Sequence, residues 1–257
     1  MSQVFVTADV YLALSTYALA TEKEEVLAML MGTTSADQQT VTVSHCLFCQ
    51  RKDKRRDRVE ISGEQLSAAI SFAERTETSV VGWAHSHPHI TVLPSHVDLR
   101  CQRDQQMLSE AFIGLILSVF NDFGGVQRCQ FIAFRTVADG SELIRMEVPV
   151  YIQPTNKTTG IKSASLEQLY RVPQIFLQEE KEAFEKAIQN QNQSQKGKEG
   201  HGDKLVAAHY GGVYMRNLTS VLDKLCVPLV ESVSSRHERN VAEIAHLKHE
   251  LSLLQSK

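Results

Sequence analysis

The sequence predicts an α/β fold in which helices flank an irregular mixed β-sheet. Short apolar runs rich in β-branched residues recur near 25–32, 40–48 and 79–86, as expected for buried strands. Segments with apolar residues at helical spacing lie between and after these runs. The order of these elements is irregular, so a repeating βαβ chain is not expected.

Each element follows from a local pattern. The first helix is predicted over about 8–20, because Val10, Leu14, Tyr17 and Ala18 repeat at helical spacing. The remaining elements are predicted as strands near 25–32 and 40–48, a helix at about 64–77, a strand at 79–86, a helix from 95 to about 110, and strands at 113–120, 129–137 and 142–152. A turn is predicted at Asn121–Gly125, between two of these strands.

The composition changes after Pro154, which predicts a compact domain at 1–160 followed by extensions. A charged helical extension is predicted at 161–189, and Pro173 is expected to bend or break its helix. Residues 190–204 are rich in Gln, Asn, Gly and Lys and are predicted to form a flexible linker. The remaining residues, 205–257, are predicted to be helical.

A heptad seam runs along the last predicted helix. Its two positions are filled by Val230, His237, Ile244 and Leu251 and by Val233, Asn240, Leu247 and Leu254. Six of the eight positions are apolar, so this helix either packs back on the domain or associates with a partner. A partner is favoured, because an exposed apolar stripe needs a cover and polar seam residues can fix the register of pairing.

Composition excludes several classes of function. The net charge of −3 gives no overall attraction to nucleic acid or to an anionic membrane surface, so neither is expected as a direct partner. No apolar run approaches the roughly 18 residues of a membrane span, and Met1-Ser2-Gln3 lacks the basic start of a secretory signal. The five scattered cysteines are therefore expected to be reduced thiols of a cytoplasmic and nuclear protein.

Two further motifs have ordinary explanations. Cys46-x-x-Cys49 follows a strand-like run, and its thiols are predicted to be half-buried residues. A second zinc site is the less favoured alternative, because structural sites normally need four ligands. The basic run at 51–58 is predicted to be a solvated loop, with a nuclear signal or a contact to an acidic partner as the alternative.

The run His85-Ser86-His87-Pro88, followed by Ser95 and Asp98, has the spacing of a metal site. Side chains two apart on a strand point to the same side, so both imidazoles can reach one ion. Ser95 follows a proline and is a candidate helix N-cap, which puts Asp98 in the first helical turn. Two imidazoles and one carboxylate leave the fourth position of a tetrahedral zinc open for water, as in catalytic sites.

These residues also have other interpretations. The Ser95-x-x-Asp98 pattern is also that of a simple capping box. His89 and His96 are predicted to be neighbours of the site and not ligands. A zinc nucleobase deaminase would need H-x-E with P-C-x-x-C, and an H-E-x-x-H protease would need that string; neither occurs.

The spacing H-S-H-P, six residues, S-x-x-D resembles the JAMM (MPN+) metalloprotease signature. That family has the MPN domain fold, binds one catalytic zinc ion, and cuts ubiquitin or ubiquitin-like proteins from lysine side chains. Its catalytic glutamate lies in a run similar to E-V-M-G-L-M-L-G, which the segment Glu25–Gly32 matches with Ala28 in place of a glycine. The resemblance therefore implies that residues 1–160 form an MPN+ catalytic domain with Glu25 as its general base.

Further segments resemble one subgroup of this family. Residues 55–62, 80–83, 94–98 and 114–116 are similar to the JAMM subunits of the BRISC complex and of its nuclear DNA-repair counterpart. Those subunits cleave lysine-63-linked polyubiquitin and assemble with an Abraxas-type pseudo-MPN scaffold. The resemblance implies a higher-order heteromer, formed through the C-terminal helices and the MPN domain. The alternative is an MPN scaffold without activity of its own, although such scaffolds typically lose a ligand or the glutamate.

The resemblance and the motif together assign a role to each site residue. His85, His87 and Asp98 are expected to bind the zinc ion, which would lower the pKa of water. Glu25 is expected to take the proton of that water and to return it to the leaving lysine amine. Ser95 is expected to donate a hydrogen bond to the oxyanion.

Overall fold

The computed structural model describes residues 1–51, 61–140, 142–154, 163–194 and 201–255. The chain divides into two compact units, Met1–Ile175 and Phe176–Lys257. Most of the predicted basic loop and the centre of the predicted linker lie outside the described residues. No helix within the described ranges is both long and apolar enough to cross a membrane.

The first unit contains one mixed sheet of eight strands and the helices that cover it. The strands are β1 (Gln3–Thr7), β2 (Leu27–Thr34), β3 (Thr40–Cys49), β4 (Ser79–Pro88), β5 (Ile113–Phe123), β6 (Val126–Asp139), β7 (Glu142–Val148) and β8 (Val150–Gln153). The helices are α1 (Ala8–Ala18), α2 (Gly63–Arg75), α3 (His96–Gln106) and the start of α4 (Ser163–Ser194). The predicted α/β class with a mixed sheet and flanking helices is confirmed.

The sheet curls so that its two edges meet. Its strand order is β7-β6-β5-β4-β2-β3-β1-β8, in which β1 pairs in parallel with β3 and β8, and β4 pairs in parallel with β5. The edge strands β7 and β8 are consecutive in the chain and are separated by Pro149 alone. Because a single residue joins the two edges, the sheet must close on itself at that point, and the Val4 amide donates to the Pro149 carbonyl there at 2.8 Å.

Two strand assignments differ from the sequence-based prediction. The predicted strand at 142–152 is two strands, because β7 pairs with β6 at one edge while β8 pairs with β1 at the other. Strand β1 was not predicted. It has five residues, of which only Val4 and Val6 are fully buried, so its local pattern is too short to stand out. Its pairing with two distant strands makes it a strand.

Helices lie on both faces of the sheet, and β3 shows this division. Its residues Leu47 and Cys49 belong to the apolar cluster that includes Phe72 and Ala73 of α2. On the opposite face, Phe48 stacks on Tyr17 of α1 with ring centroids 4.2 Å apart. The sheet therefore has a core on each side, and α1 and α2 cover different faces.

Strand β4 is the fourth strand from one edge and is buried over 81–87. It pairs antiparallel with β2 and parallel with β5, so its backbone is fixed on both sides. The Gly82 position admits no side chain, since a Cβ there would lie 2.4 Å from the Ile113 carbonyl oxygen. Strand β5 therefore approaches β4 closely just before its histidines.

The second unit is helical. The rest of α4 is followed by α5 (His201–Val221), a π-helical turn (Leu222–Cys226) and α6 (Val227–Gln255). Phe184 of α4 stacks on Tyr214 of α5 at 4.8 Å, and the Asn217 side chain donates to the Glu180 carboxylate at 2.6 Å. These contacts tie the two helices into one unit.

The helical region differs from the sequence-based expectations in two places. Helix α4 is continuous through Pro173, so of the two expected effects, a bend or a break, the break is absent. Both ends of the predicted linker, 190–194 and 201–204, are helical, and 195–200 lie outside the described residues. The domain boundaries at 160, 189 and 204 remain predictions.

The predicted heptad seam of α6 is exposed in the isolated chain. Its apolar residues have exposed fractions of 64% for Val230, 38% for Val233, 52% for Ile244, 54% for Leu247, 55% for Leu251 and 69% for Leu254. No residue of α6 is buried. Within the helical unit, the seam is therefore not covered by α4 or α5.

Candidate metal centre and active site

Three side chains converge at the end of β4. His85 and His87 lie on the same side of the strand, and their Nε2 atoms are 3.0 Å apart. Asp98, near the start of α3, places Oδ1 3.4 Å from Nε2 of His85 and Oδ2 3.7 Å from Nε2 of His87. The ligand atoms of all three residues lie within 4.8 Å of one another, and each residue is buried. This group could bind one metal ion.

The orientation of His87 is fixed by the loop after β4. Its Nδ1 lies 2.7 Å from the Thr91 carbonyl oxygen. A carbonyl only accepts, so Nδ1 carries the proton and Nε2 of the neutral ring presents a lone pair to the site. Burial lowers the pKa of His87, but hydrogen bonds to Asp98 and Thr91 and the nearby carboxylates outweigh it, so its pKa is raised overall.

His85 is held by packing. Its ring stacks on Trp83 with centroids 4.6 Å apart and planes 13° from parallel. Burial lowers the pKa of His85 despite the neighbouring Asp98 carboxylate, which favours the neutral ring that metals bind. The Trp83 indole in turn donates to Gln102 of α3 at 2.7 Å. Gln102 follows Asp98 by one helical turn, so the same face of α3 contacts both Trp83 and His85.

Asp98 completes the capping box of α3 and also faces the two histidines. Its Oδ2 accepts from the Ser95 backbone amide at 2.6 Å, and the Ser95 hydroxyl accepts from the Asp98 amide at 3.2 Å. Burial alone would raise the pKa of Asp98, but His85, His87 and Ser95 hold it well below its usual range. The capping-box interpretation and the ligand interpretation are therefore compatible, because the two oxygens have different partners.

The donor set fits zinc. Two neutral imidazole nitrogens and one ionised carboxylate are borderline ligands that zinc accepts, and three protein ligands leave a position open. The two Nε2 atoms lie 3.0 Å apart and both face the Asp98 carboxylate, so a single ion can reach both nitrogens and one carboxylate oxygen.

The structure brings Glu25 to this group from 60 residues earlier in the chain. Glu25 lies just before β2 and is 5% exposed, and its Oε1 is 3.8 Å from Nε2 of His87. It is adjacent to the metal-binding group without being part of it. The sequence-based strand at 25–32 began at Glu25, whereas β2 begins at Leu27, which leaves Glu25 outside the regular ladder.

The other predicted residues are placed as follows. Ser95 is exposed beside the buried group. Its hydroxyl oxygen accepts the capping hydrogen bond from the Asp98 amide, so its O–H can still donate a hydrogen bond to a substrate. His89 and His96 are exposed, and His89 pairs with Glu22 at 3.6 Å. Neither belongs to the metal-binding group found among the described residues.

The two cysteines of the C-x-x-C motif are more buried than predicted. Cys46 and Cys49 are 1% and 5% exposed, and both thiols are free. Residues three apart on a strand point to opposite faces, so these thiols cannot share one ion on β3. Burial raises the pKa of Cys49 to about 12 and raises that of Cys46 further, so both stay protonated at neutral pH.

Comparisons with known proteins agree with this site. A family model described as JAB1/Mov34/MPN/PAD-1 ubiquitin protease matches residues 1–111, and one described as BRCC36 C-terminal helical domain matches residues 165–254. Lysine-63-specific deubiquitinases BRCC36 of Xenopus tropicalis and Xenopus laevis are each 36% identical, over 96% of this chain and 94% of theirs. A BRCC36-like deubiquitinase of Mus musculus is 34% identical, over 96% and 92%. The chain belongs to the BRCC36 family.

Membership of the BRCC36 family confirms the resemblance drawn from the H-S-H-P motif. Sequence reasoning nevertheless missed several residues of this site: Trp83 beneath His85, Gln102, the Thr91 carbonyl and Ser86. Two of them had a local signal: Trp83 lies two residues before His85 on the same face of β4, and Gln102 lies one turn after Asp98 on the same face of α3. The Thr91 carbonyl depends on the conformation of the loop after β4, and Ser86 depends on a contact with a distant segment.

Proposed function

We propose that this chain is a zinc-dependent deubiquitinase that hydrolyses the isopeptide bonds of lysine-63-linked polyubiquitin. The observation that carries this proposal is the placement of a buried carboxylate, Glu25, 3.8 Å from a His-His-Asp group able to bind a metal. A structural zinc site needs no such neighbour, whereas hydrolysis needs a proton carrier beside the ion. The names of the BRCC36 relatives support the choice of substrate.

Each residue of the site has a part in the proposed reaction. His85, His87 and Asp98 would hold the zinc ion, which would supply Lewis acidity to the attacking water and to the scissile carbonyl. Glu25 accepts the proton of the attacking water and later donates it to the leaving lysine amine. Ser95 donates a hydrogen bond to the oxyanion.

No covalent intermediate on the protein is part of this proposal. Cys46 and Cys49 are buried with raised pKa values, so neither supplies a thiolate at neutral pH. Water is the nucleophile, and Glu25 is the group that activates it.

The exposed seam of α6 supports a partner. Apolar side chains at six seam positions remain in contact with solvent in the single chain, and the match to the BRCC36 C-terminal helical domain includes them. We propose that an Abraxas-type pseudo-MPN scaffold covers this seam and also contacts the MPN domain, in a higher-order heteromer.

The proposed location of the protein is cytoplasmic and nuclear. The alternative is a scaffold subunit that has no activity of its own.

A diubiquitin assay tests this function. The zinc-loaded chain, alone and with an Abraxas-type partner, is incubated with diubiquitins of each linkage. We expect cleavage of the lysine-63 linkage, with a marked increase when the partner is present. Persistent inactivity with zinc bound and partner present would establish the scaffold alternative, and equal cleavage of all linkages would overturn the proposed specificity.

The same assay tests the role of the seam. Leu247→Glu puts a charge into the apolar stripe and is expected to weaken partner binding about 10- to 100-fold, the effect of losing one buried leucine. Lys248→Glu introduces the same side chain one position away, off the seam, and is expected to bind normally. Partner affinity is measured by titration and compared with the partner-dependent rise in cleavage. If the two variants bound the partner with equal affinity, the seam of α6 would not be the surface that binds the partner.

Replacing Ser95 by alanine is expected to lower kcat about 10²- to 10³-fold, the usual effect of removing one oxyanion donor. The change also removes an N-cap, which costs about 1 kcal/mol of stability. Ser62→Ala is the matched control, because Ser62 forms the same capping box on α2, outside the site. Thermal melting should fall similarly in both variants, while only the Ser95 variant should lose turnover. A similar kcat loss in both would assign Ser95 a capping role alone.

A further inference from the structure

Ser86 lies between the two histidine ligands on β4 and is 1% exposed. Because side chains alternate along a strand, the Ser86 side chain points to the face opposite the rings of His85 and His87. Its backbone amide donates to the Val26 carbonyl at 3.1 Å. Its hydroxyl accepts from the Val26 amide at 3.0 Å, in a buried position. Both backbone groups of Val26 are therefore held by this one serine.

These two hydrogen bonds lie where the ladder between β2 and β4 ends. The last regular pair is Leu27 with His85, and the next would be Val26 with Ser86. In a regular antiparallel pair the Val26 amide would bond the Ser86 carbonyl. Here it bonds the hydroxyl, so a side chain takes over from the backbone at the residue that follows Glu25.

Glu25 is consequently fixed on both sides. On one side, Val26 is held by Ser86. On the other side, Glu24 forms an ion pair with Arg51, and the side chains of Glu24 and Arg51 are 20% and 7% exposed, respectively. Removing the Ser86 hydroxyl would leave the Val26 amide buried without its acceptor, which the backbone can relieve only by moving. Such a movement would displace Glu25 relative to His85 and His87.

We propose that Ser86 is a positioning residue for the general base. The strand that carries both histidine ligands also carries, through the Ser86 hydroxyl, the anchor of the segment bearing Glu25. This inference rests on the proposed function and adds to it the residue that couples the base to the metal-binding strand. A shift of about 1 Å in a reacting group is sufficient to lower a rate about 100-fold.

The test compares Ser86→Ala with wild type as zinc-loaded protein in complex with its partner. We expect kcat on lysine-63-linked diubiquitin to fall about 10- to 100-fold with KM unchanged. Zinc content and resistance to a chelator should match those of wild type. Hydrogen exchange should show faster exchange of the Val26 amide. Ser86→Thr, which keeps a hydroxyl, should restore most of the kcat and of the Val26 protection.

Thr76→Val is the matched control, because Thr76 hydroxyl bonds hold the chain before the opposite end of β4. It should lose stability without losing kcat. The proposal is overturned if Ser86→Ala keeps its kcat, if zinc is lost in proportion to activity, or if Val26 stays protected. Failure of the proposed function is separate: wild type would then be inactive, and the Val26 exchange would still report whether Ser86 anchors this segment.

Discussion

Replacing Glu25 by glutamine is expected to lower kcat on lysine-63-linked diubiquitin about 10²- to 10⁴-fold and to leave zinc bound. Glutamine has the size and the hydrogen-bonding reach of glutamate but takes no proton at neutral pH. Glu25 Oε1 lies 3.8 Å from the nearest ligand nitrogen and is not within the metal-binding group, so the change removes no ligand. Glu25→Ala should show the same pattern.

The measurement needs turnover and metal content on the same sample. Glu22→Gln is the control, because Glu22 is three residues away and its exposed carboxylate pairs with the exposed ring of His89, the one ion pair found for it among the described residues. It should cleave at the wild-type rate. Loss of zinc in the Glu25 variant, or undiminished cleavage, would contradict the assignment. A fall in both variants would point to a general disturbance of the segment before β2.

The part of the site that sequence predicts is the part encoded locally. His85 and His87 share a face because strands alternate, and Asp98 lies in the first turn because Ser95 caps the helix. These relations involve neighbouring residues and need no tertiary structure. They explain why the metal-binding group could be predicted, with β4 placed to within two residues and α3 correct at its start, although α3 ends at Gln106, about four residues earlier than predicted.

The position of Glu25 could not be derived in this way. It depends on the pairing of β2 with β4 across about 60 residues, and nearby Glu22 and Glu24 are chemically equivalent in the sequence. The resemblance to the JAMM signature selected Glu25, and the ladder register then places it beside His87. Ser86 shows the same limit, because its role exists only through its contact with Val26.

Elements set by long-range pairing were the ones mispredicted. Strand β1 is short but is held between two strands, and Pro149 divides a run that looks continuous in the sequence. Helix α4 continues through Pro173 although proline disfavours a helix interior. Its neighbours Val172, Ile175 and Phe176 are buried, which is a tertiary effect that the local sequence preference does not include.

Removing the metal is expected to abolish cleavage and to lower thermal stability together. An ion that binds only the folded chain stabilises it by about 4 kcal/mol at a free concentration of 1,000 times Kd. For a unit of about 175 residues this corresponds to a rise in Tm of roughly 8–16 °C. Melting curves with zinc and with a chelator measure that rise, and added zinc should restore cleavage after chelation.

Asp98→Asn separates the two roles of Asp98. The asparagine side-chain oxygen can still accept from the Ser95 amide, so the cap of α3 is kept, but the anionic ligand is lost. The variant should fold, melt somewhat below metal-free wild type because the ionised Asp98 is stabilised by His85, His87 and Ser95, show little zinc-dependent rise in Tm, and lack cleavage. If it kept the full zinc-dependent rise, Asp98 would be a capping residue only, and the open zinc site would lose its third ligand. Because Oδ2 bonds the cap while Oδ1 faces His85, we expect stability without metal and affinity for metal to separate in this one substitution.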